Sequence, residues 1–194
     1  MILTNLQGKE IILASQSPRR QELLKGIGID FKIRVKKDIE ENFDSQIPLE
    51  DVAEYLARKK ANNYNEFIKN GTILITADTV VCTDKTILNK PANKQEAQQM
   101  LRSLSGKKHK VITGVCIKSS KKELSFSSES VVYFSELTEE EIEYYIENYQ
   151  PYDKAGAYGI QEWIGHIGIT RLEGSYFNVM GLPIQLVYSK LKTF

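Results

Sequence analysis

The feature that most constrains the fold of this chain is a buried strand followed at once by a short helix. This helix has two arginines in its first turn. Residues 10–15 are largely apolar and predict a buried strand, and residues 17–26 predict a short helix. Ser17 is a favourable N-cap, Pro18 suits the first helical position, and Gly26 marks the end of the helix. A strand, a tight turn and a helix start in this order bring several backbone N–H groups together.

Arg19 and Arg20 occupy the first turn of that helix, where the partial positive charge of the helix N-terminus disfavours cations. An anion above this turn would explain both residues, because guanidinium groups and backbone N–H groups bind phosphate oxygens well. With the Ser17 hydroxyl they outline a polyphosphate site. The alternative that this segment leaves open is a pair of solvated arginines on a surface helix.

The composition is that of an ordinary globular protein. The 194 residues are 41% apolar, which is enough to bury a sizeable core in a single domain over residues 1–194, or in one domain with two lobes. A net charge of +1 gives no electrostatic footprint for a nucleic-acid polymer, so none is expected as a partner.

Cysteine usage and hydropathy bear on the cellular location. Cys82 and Cys116 lie far apart inside apolar runs, which favours buried core residues over a disulfide framework or a zinc site. The sequence has no apolar run of about 20 residues, the length needed to cross a bilayer, and no signal peptide. We therefore expect a cytoplasmic protein with no membrane partner.

Strands and helices alternate early in the chain and strands dominate later, which predicts an α/β fold. Further strands are predicted at residues 30–35, 72–77, 110–118, 123–134, 155–160 and 163–171. Further helices are predicted at residues 48–67, 93–104, 138–148 and 183–191, the third of them opened by a capping box of Thr138 and Glu141.

Asp78 is the first candidate for chemistry. It follows the apolar run at residues 72–77, so we expect it at the carboxyl end of a buried strand, where open α/β sheets bind their ligands. A carboxylate there can hold a metal or activate a water molecule. The alternative is a turn aspartate that caps the next segment.

Charged residues elsewhere would complete such a site. Magnesium is typically held by one or two carboxylates together with substrate phosphates, so Glu40 or Glu41 with Asp78 would suffice. Lys60 and Lys90 would neutralise phosphate as point charges. The alternatives are a solvated acidic loop and two surface lysines.

A segment rich in small residues and aromatics, residues 151–161, suggests backbone that packs very close to another group. Gln161 at its end offers both a donor and an acceptor, which suits the edge of a nucleotide base. The chain has neither a phosphate-binding loop of the GxxxxGK[ST] type nor a GxGxxG motif, and no serine has a credible triad arrangement.

Taken together, these segments resemble the Maf family of nucleotide pyrophosphatases. The matching stretches follow the family's order and lie at residues 13–20, 77–81, 90–91, 104–106, 153–161, 174–176 and 181–183. The resemblance implies an α/β fold in which a two-lobed mixed sheet with flanking helices surrounds a central cleft, related to that of the inosine triphosphate pyrophosphatases. It implies hydrolysis of a nucleoside triphosphate to the monophosphate and pyrophosphate with a divalent cation, Mg²⁺ or Mn²⁺, and commonly a homodimer.

The motif at residues 158–161 resembles the branch of the family that acts on dTTP and UTP. That branch often continues with glycines, whereas here residues 162–165 read Glu-Trp-Ile-Gly. Other substrates that fit the same reaction are 7-methyl-GTP, a modified nucleotide such as pseudouridine triphosphate in a house-cleaning role, and an inosine-type nucleotide. A nucleotide-binding regulator of septum formation without turnover is the alternative from another class.

The resemblance also implies residue roles around the triphosphate. Ser17, Arg19 and Arg20 would bind the triphosphate, and Lys60 and Lys90 would add positive charge around it.

At the reaction centre, the resemblance makes Asp78 the base or the water-orienting group, with Lys90 beside it in the catalytic set. Glu41 would hold the metal with Asp78, and Glu40 is the alternative in the neighbouring register. Gln161 would contact the pyrimidine.

Overall fold

A mixed sheet organises the computed structural model, which describes residues 3–36, 39, 41–84 and 86–194. Within these residues the strands are β1 (Glu10–Leu13), β2 (Lys32–Ile33), β3 (Thr72–Cys82), β4 (Ile87–Leu88), β5 (Lys108–Lys118), β6 (Glu123–Phe134) and β7 (Ile169–Glu173). Their order is β2-β1-β3-β5-β6-β7, and β4 pairs with β3. Strand β1 runs parallel to β2 and β3, whereas β4 is antiparallel to β3 and β7 is antiparallel to β6.

Seven α-helices occur in the described part of the chain: α1 (Pro18–Gly26), α2 (Leu49–Asn62), α3 (Lys94–Leu104), α4 (Glu139–Tyr149), α5 (Trp163–Gly168), α6 (Tyr176–Val179) and α7 (Ile184–Leu191). Short 3₁₀ turns lie at Thr4–Leu6, Asn65–Phe67 and Ala155–Ala157. Where the chain is described, each helix is too short or too polar to cross a bilayer.

The chain divides into two compact units. Unit 1 comprises Met1–Asp78, Thr113–Ser128 and Gly181–Phe194, and unit 2 comprises Thr79–Ile112 and Glu129–Met180.

In unit 1, helix α2 packs directly on the sheet. A side chain at Gly114 of β5 would place its Cβ 2.2 Å from the Ala53 carbonyl carbon, so only glycine permits this close approach. The Thr76 hydroxyl of β3 donates to the Ala57 carbonyl at 2.7 Å. These two contacts fix α2 against β5 and β3, and thereby fix where the last turn of α2 lies.

Unit 2 has its own apolar core. Its buried side chains come from the described parts of β3, β5 and β6, from α3 to α5, and from the segment before α5; they include Val81, Ala97, Leu101, Leu104, Val111, Val132, Phe134, Ile142, Tyr145, Ile146, Tyr158, Ile160 and Ile164. Buried in the same unit, His109 has its Nε2 2.7 Å from the Tyr158 hydroxyl, and its ring stacks on Phe134. Burial lowers the pKa of His109 to about 4, so the imidazole is neutral near pH 7.

Most of the predicted elements are confirmed. Ser17 caps α1 with Pro18 in the first turn, and the capping box of Thr138 and Glu141 opens α4. Helix α1 ends at Gly26 as predicted, and the chain turns after it at Gly28, which has φ +71°.

The predicted strands at 155–160 and 163–171 are wrong in large part. Gly156 and Ala157 have φ of +70° and +61°, which no strand accommodates, and residues 163–168 form helix α5 before β7 begins. A Cβ at Gly165 would lie 1.9 Å from the Ile160 carbonyl oxygen, so the chain turns tightly into α5 at a position that only glycine permits, despite the β-propensity of the nearby tryptophan and isoleucines.

Asp78 was predicted at the end of a strand, but β3 continues through it to Cys82. Val80, Val81 and Cys82 are buried, and the last two pair with β4, so the strand extends past the carboxylate. Asp78 therefore projects from within an 11-residue strand.

Candidate functional site

The turn before α1 is held by its own side chains. The Ser17 hydroxyl accepts from the Arg20 N–H at 3.5 Å, and the Ser17 N–H donates to the Ser15 hydroxyl at 3.2 Å. The Gln21 amide donates to the Ser15 carbonyl at 3.2 Å. These hydrogen bonds therefore fix the conformation of the turn at the helix N-terminus that was predicted to bind phosphate.

Arg20 is anchored by two main-chain oxygens in unit 1. Its Nε donates to the Gly181 carbonyl at 2.7 Å and its Nη1 donates to the Ala77 carbonyl at 2.8 Å. Burial lowers the pKa of Arg20 below its usual value, and the carboxylates of Asp78 and Glu41 act in the opposite direction. An arginine does not lose its proton under such conditions, so a fixed positive charge faces both carboxylates.

Arg19 lies next to this group and is half-buried. Its positive charge also acts to lower the pKa of Arg20, after the larger effects of burial and of Asp78. Two cations close together at a helix N-terminus are an arrangement that an anionic ligand would stabilise.

Lys60 links the two predicted metal-binding carboxylates. Its ammonium donates to Asp78 Oδ1 and lies 2.8 Å from Glu41 Oε1. The Lys60 and Asp78 side chains are only 14% and 10% exposed, whereas that of Glu41 is 44% exposed. Because water is largely excluded from Lys60 and Asp78, the Coulombic attraction between them is stronger than in a surface ion pair.

Lys59 and Asn42, which the sequence did not suggest, hold Glu41 near Lys60. Lys59, next to Lys60 on α2, donates to the Asn42 carbonyl at 2.9 Å and also to the Asn42 side-chain oxygen. The loop residue after Glu41 is thus attached to the last turn of α2. The contact joins residues 17 positions apart, and no local sequence pattern reports it.

The carboxylates of Asp78 and Glu41 fit a hard divalent cation. Both carboxylates contact one cationic nitrogen, so their oxygens converge on a position where positive charge is favourable. In the described residues no group of three or more His, Cys, Asp or Glu side chains is arranged for a metal. Two carboxylates with the remaining ligands from phosphate and water is a common magnesium arrangement. Glu40, the alternative to Glu41, lies outside the described residues.

Lys90 and Gln161 belong to unit 2, whereas the other predicted site residues belong to unit 1. Lys90 is exposed and directly follows Asn89, whose carbonyl accepts from the Gly156 N–H at 3.2 Å. The Gln161 side-chain oxygen is buried and has no hydrogen-bond partner among the residues described. A buried acceptor of this kind is costly unless a donor reaches it.

Next to Gln161 lies a charged network that the sequence did not predict. Glu162 forms an ion pair with Lys154 at 3.1 Å and accepts from the Tyr145 hydroxyl. Lys154 is buried, with 8% of its side chain exposed, and Asp153 is its other partner at 2.7 Å. The one sequence signal for this network was the departure from the family pattern at residue 162.

Comparisons with known proteins agree with one another. The family model described as Maf-like protein matches residues 10–194. A Porphyromonas gingivalis W83 protein named dTTP/UTP pyrophosphatase is 53% identical, covering 100% of this chain and 98% of that protein. A Parabacteroides distasonis protein of the same name is 51% identical over 100% of both chains. The solved Staphylococcus aureus Ham1 protein has a TM-score of 0.54 at 15% identity, covering 94% of this chain and 100% of that one, which shows a shared fold.

Proposed function

The chain belongs to the Maf-like protein family, and from this premise we propose that it hydrolyses dTTP and UTP to the monophosphates and pyrophosphate. The observation that carries the proposal is the largely buried Asp78 carboxylate, which shares Lys60 with Glu41 and faces the fixed charge of Arg20. Full-length relatives at about half identity bear the name of this activity, which supports the choice of substrates.

The triphosphate binds at the N-terminus of α1 in this proposal. Backbone N–H groups and the Ser17 hydroxyl face the phosphates, and Arg19 and Arg20 supply positive charge. Phosphate oxygens beside the two arginines offset the unfavourable proximity of their like charges. Lys60 and Lys90 add further charge around the triphosphate.

Hydrolysis proceeds by attack of water on the α-phosphorus. Asp78 accepts a proton from the water as its oxygen bonds to phosphorus, and the bond from the α-phosphorus to the bridging oxygen breaks. Pyrophosphate leaves with the electron pair of that bond. Such a step depends on positioning and on stabilising charge, which the site's fixed cations provide.

Asp78 and Glu41 would hold a divalent cation, Mg²⁺ or Mn²⁺, whose charge, when bound, neutralises the leaving pyrophosphate. Lys60 contacts both of these carboxylates. A bound cation would compete with Lys60 for these carboxylates, and the role of Lys60 is to supply positive charge near the phosphates.

Gln161 reads the base in this proposal. Its buried side-chain oxygen needs a donor, and the N3–H of uracil and thymine is a donor, whereas the N3 of cytosine is an acceptor. The match between the two groups supports selectivity for UTP and dTTP over CTP.

We also propose that the protein is cytoplasmic and forms a homodimer, as the family resemblance implies. Light scattering coupled to size-exclusion chromatography tests the dimer, and a monomeric mass at micromolar concentration would contradict it.

The decisive experiment is pyrophosphate release from a panel of nucleoside triphosphates, including 7-methyl-GTP, pseudouridine triphosphate and ITP, with and without Mg²⁺ or Mn²⁺. Products are resolved by chromatography. Metal-dependent conversion of dTTP and UTP to monophosphates is expected. Release of single phosphates, preference for a purine, or tight binding without turnover would each contradict a distinct part of the proposal.

A further inference from the structure

The carboxylate of Glu162 joins three parts of unit 2. Its Oε1 lies 3.1 Å from the Lys154 ammonium, and its Oε2 accepts from the Tyr145 hydroxyl of α4. Only 19% of the Glu162 side chain and 8% of the Lys154 side chain are exposed. The backbone of Glu162 caps α5, since its carbonyl accepts from the Gly165 N–H at 2.9 Å.

The same network holds the turn that precedes Gln161. The Tyr145 hydroxyl accepts from the Gly159 N–H at 3.0 Å while donating to Glu162. A Cβ at Gly159 would lie 2.8 Å from Glu162 Cδ, so the carboxylate packs directly on this backbone. The Glu162 N–H also donates to the Gly159 carbonyl at 3.0 Å. The backbone that precedes Gln161 is therefore held by the Glu162 side chain, and the residue that follows Gln161 is Glu162 itself, whose carbonyl caps α5.

A buried ion pair is a weak source of stability, because the cost of removing two charges from water offsets most of their attraction. In some proteins a buried pair instead fixes one geometry among several. Here the pair of Lys154 and Glu162 adjoins a half-buried glutamine whose side-chain oxygen has no partner among the described residues.

We propose that Glu162 is a positioning residue for base selection. It holds the turn at residues 159–162 so that Gln161 meets the base in one orientation, and it makes no contact with the nucleotide itself. This inference rests on the proposed function, because it requires that the wild-type protein turn over UTP and dTTP.

The test is the selectivity of Glu162→Gln, which keeps an acceptor for the Tyr145 hydroxyl but removes the charge that faces Lys154. We expect the ratio of kcat/KM for UTP to that for CTP to fall at least about tenfold, mainly through KM for UTP, since small misplacement of a contact group has effects of this size. Glu147→Gln is the matched control. Glu147 is an exposed residue of α4 that forms an ion pair with Lys94 of α3. The Glu147→Gln variant should keep the wild-type ratio.

A second variant keeps the test valid if Glu162→Gln does not fold. Tyr145→Phe removes only the hydroxyl that links Glu162 to the Gly159 N–H, and we expect the same ratio to fall by a smaller factor. The double variant of Gln161→Ala with Glu162→Gln should show the ratio of Gln161→Ala alone, because Glu162 acts through Gln161.

A merely structural role would lower the thermal unfolding temperature without changing the ratio. An unchanged ratio in folded Glu162→Gln, or an additive effect in the double variant, would overturn the inference while leaving the proposed function intact. Absence of pyrimidine triphosphate turnover by the wild-type protein would overturn both.

Discussion

The ammonium of Lys60 donates a hydrogen bond to the carboxylate of Asp78, and both side chains are largely withdrawn from water. Glu41 shares the same ammonium from a more exposed position. The site thus has a lysine between two acidic groups, and the roles of the three residues are separable by substitution.

Asp78→Asn should lower kcat by at least about 10²-fold, the lower end of a general-base contribution, because the amide cannot accept the proton from water. The amide retains an acceptor for Lys60, so the fold is kept, which far-ultraviolet circular dichroism checks. Asp30→Asn, at an exposed position in unit 1, is the matched control and should leave kcat unchanged. Near-normal turnover by Asp78→Asn would remove this residue from the reaction.

Glu41→Gln should weaken metal binding more than it weakens the fold. Loss of one anionic ligand is expected to raise the dissociation constant for Mn²⁺ at least about tenfold, measured by electron paramagnetic resonance without nucleotide. Glu50→Gln on α2 removes an exposed charge of the same kind and should have no such effect. Equal Mn²⁺ affinity in the Glu41 variant and wild type would show that Asp78 acts without Glu41.

The two arginines of α1 should differ in what their removal changes. Arg20→Ala removes hydrogen bonds to the Ala77 and Gly181 carbonyls, and we expect it to cost roughly 1.5–3 kcal/mol in the free energy of unfolding. Arg19→Ala should cost no more than about 0.5 kcal/mol, as is usual for positions nearer the surface.

Both arginine variants should bind triphosphate more weakly, and the loss should be larger at low salt, where charges are screened less. Denaturant unfolding and calorimetric titration with a non-hydrolysable triphosphate measure the two effects. Equal loss of stability in the two variants would contradict the anchoring role assigned to Arg20.

His109 should make stability depend on pH. Its pKa is lowered by burial to about 4 in the folded protein from 6.5, so the unfolded chain binds the proton more tightly. The stability that neutral His109 provides is complete above about pH 6.5 and is lost as the pH falls towards 4, by up to about 3 kcal/mol.

Unfolding temperatures of wild type and His109→Phe between pH 4 and 7 measure this effect, since phenylalanine keeps a buried ring without a titrating group. The difference between the two proteins should change across that interval. His166→Phe, at an exposed position, should show the pH profile of wild type. A constant difference for His109→Phe would contradict the assignment.

Local sequence signals predicted what local contacts determine. The cap at Ser17 and the capping box at Thr138 depend on residues three positions apart, and both are present. The strand predicted over 163–171 was wrong over residues 163–168, because the β-propensity of single residues does not describe the tight turn between Ile160 and Gly165 that leads into α5.

The candidate site also contains both residues that the sequence predicted and contacts that it did not. Arg20, Lys60 and Asp78 were identified from the sequence, and in the structure they lie together in unit 1. The attachment of Lys59 to Asn42 and the ion pair of Lys154 with Glu162 were not identified. Both are side-chain contacts set by how helices and loops pack, and no spacing rule in the sequence encodes them.

Asp78 projects from the interior of β3, an 11-residue strand, and not from a loop. Loops open and close at little energetic cost, whereas a strand inside a sheet exchanges its amide protons only when much of the surrounding structure opens. The acidic group therefore shares the protection of the sheet around it. Catalytic competence and the integrity of the sheet should then vanish over the same denaturant interval, which would make turnover itself a reporter of folding.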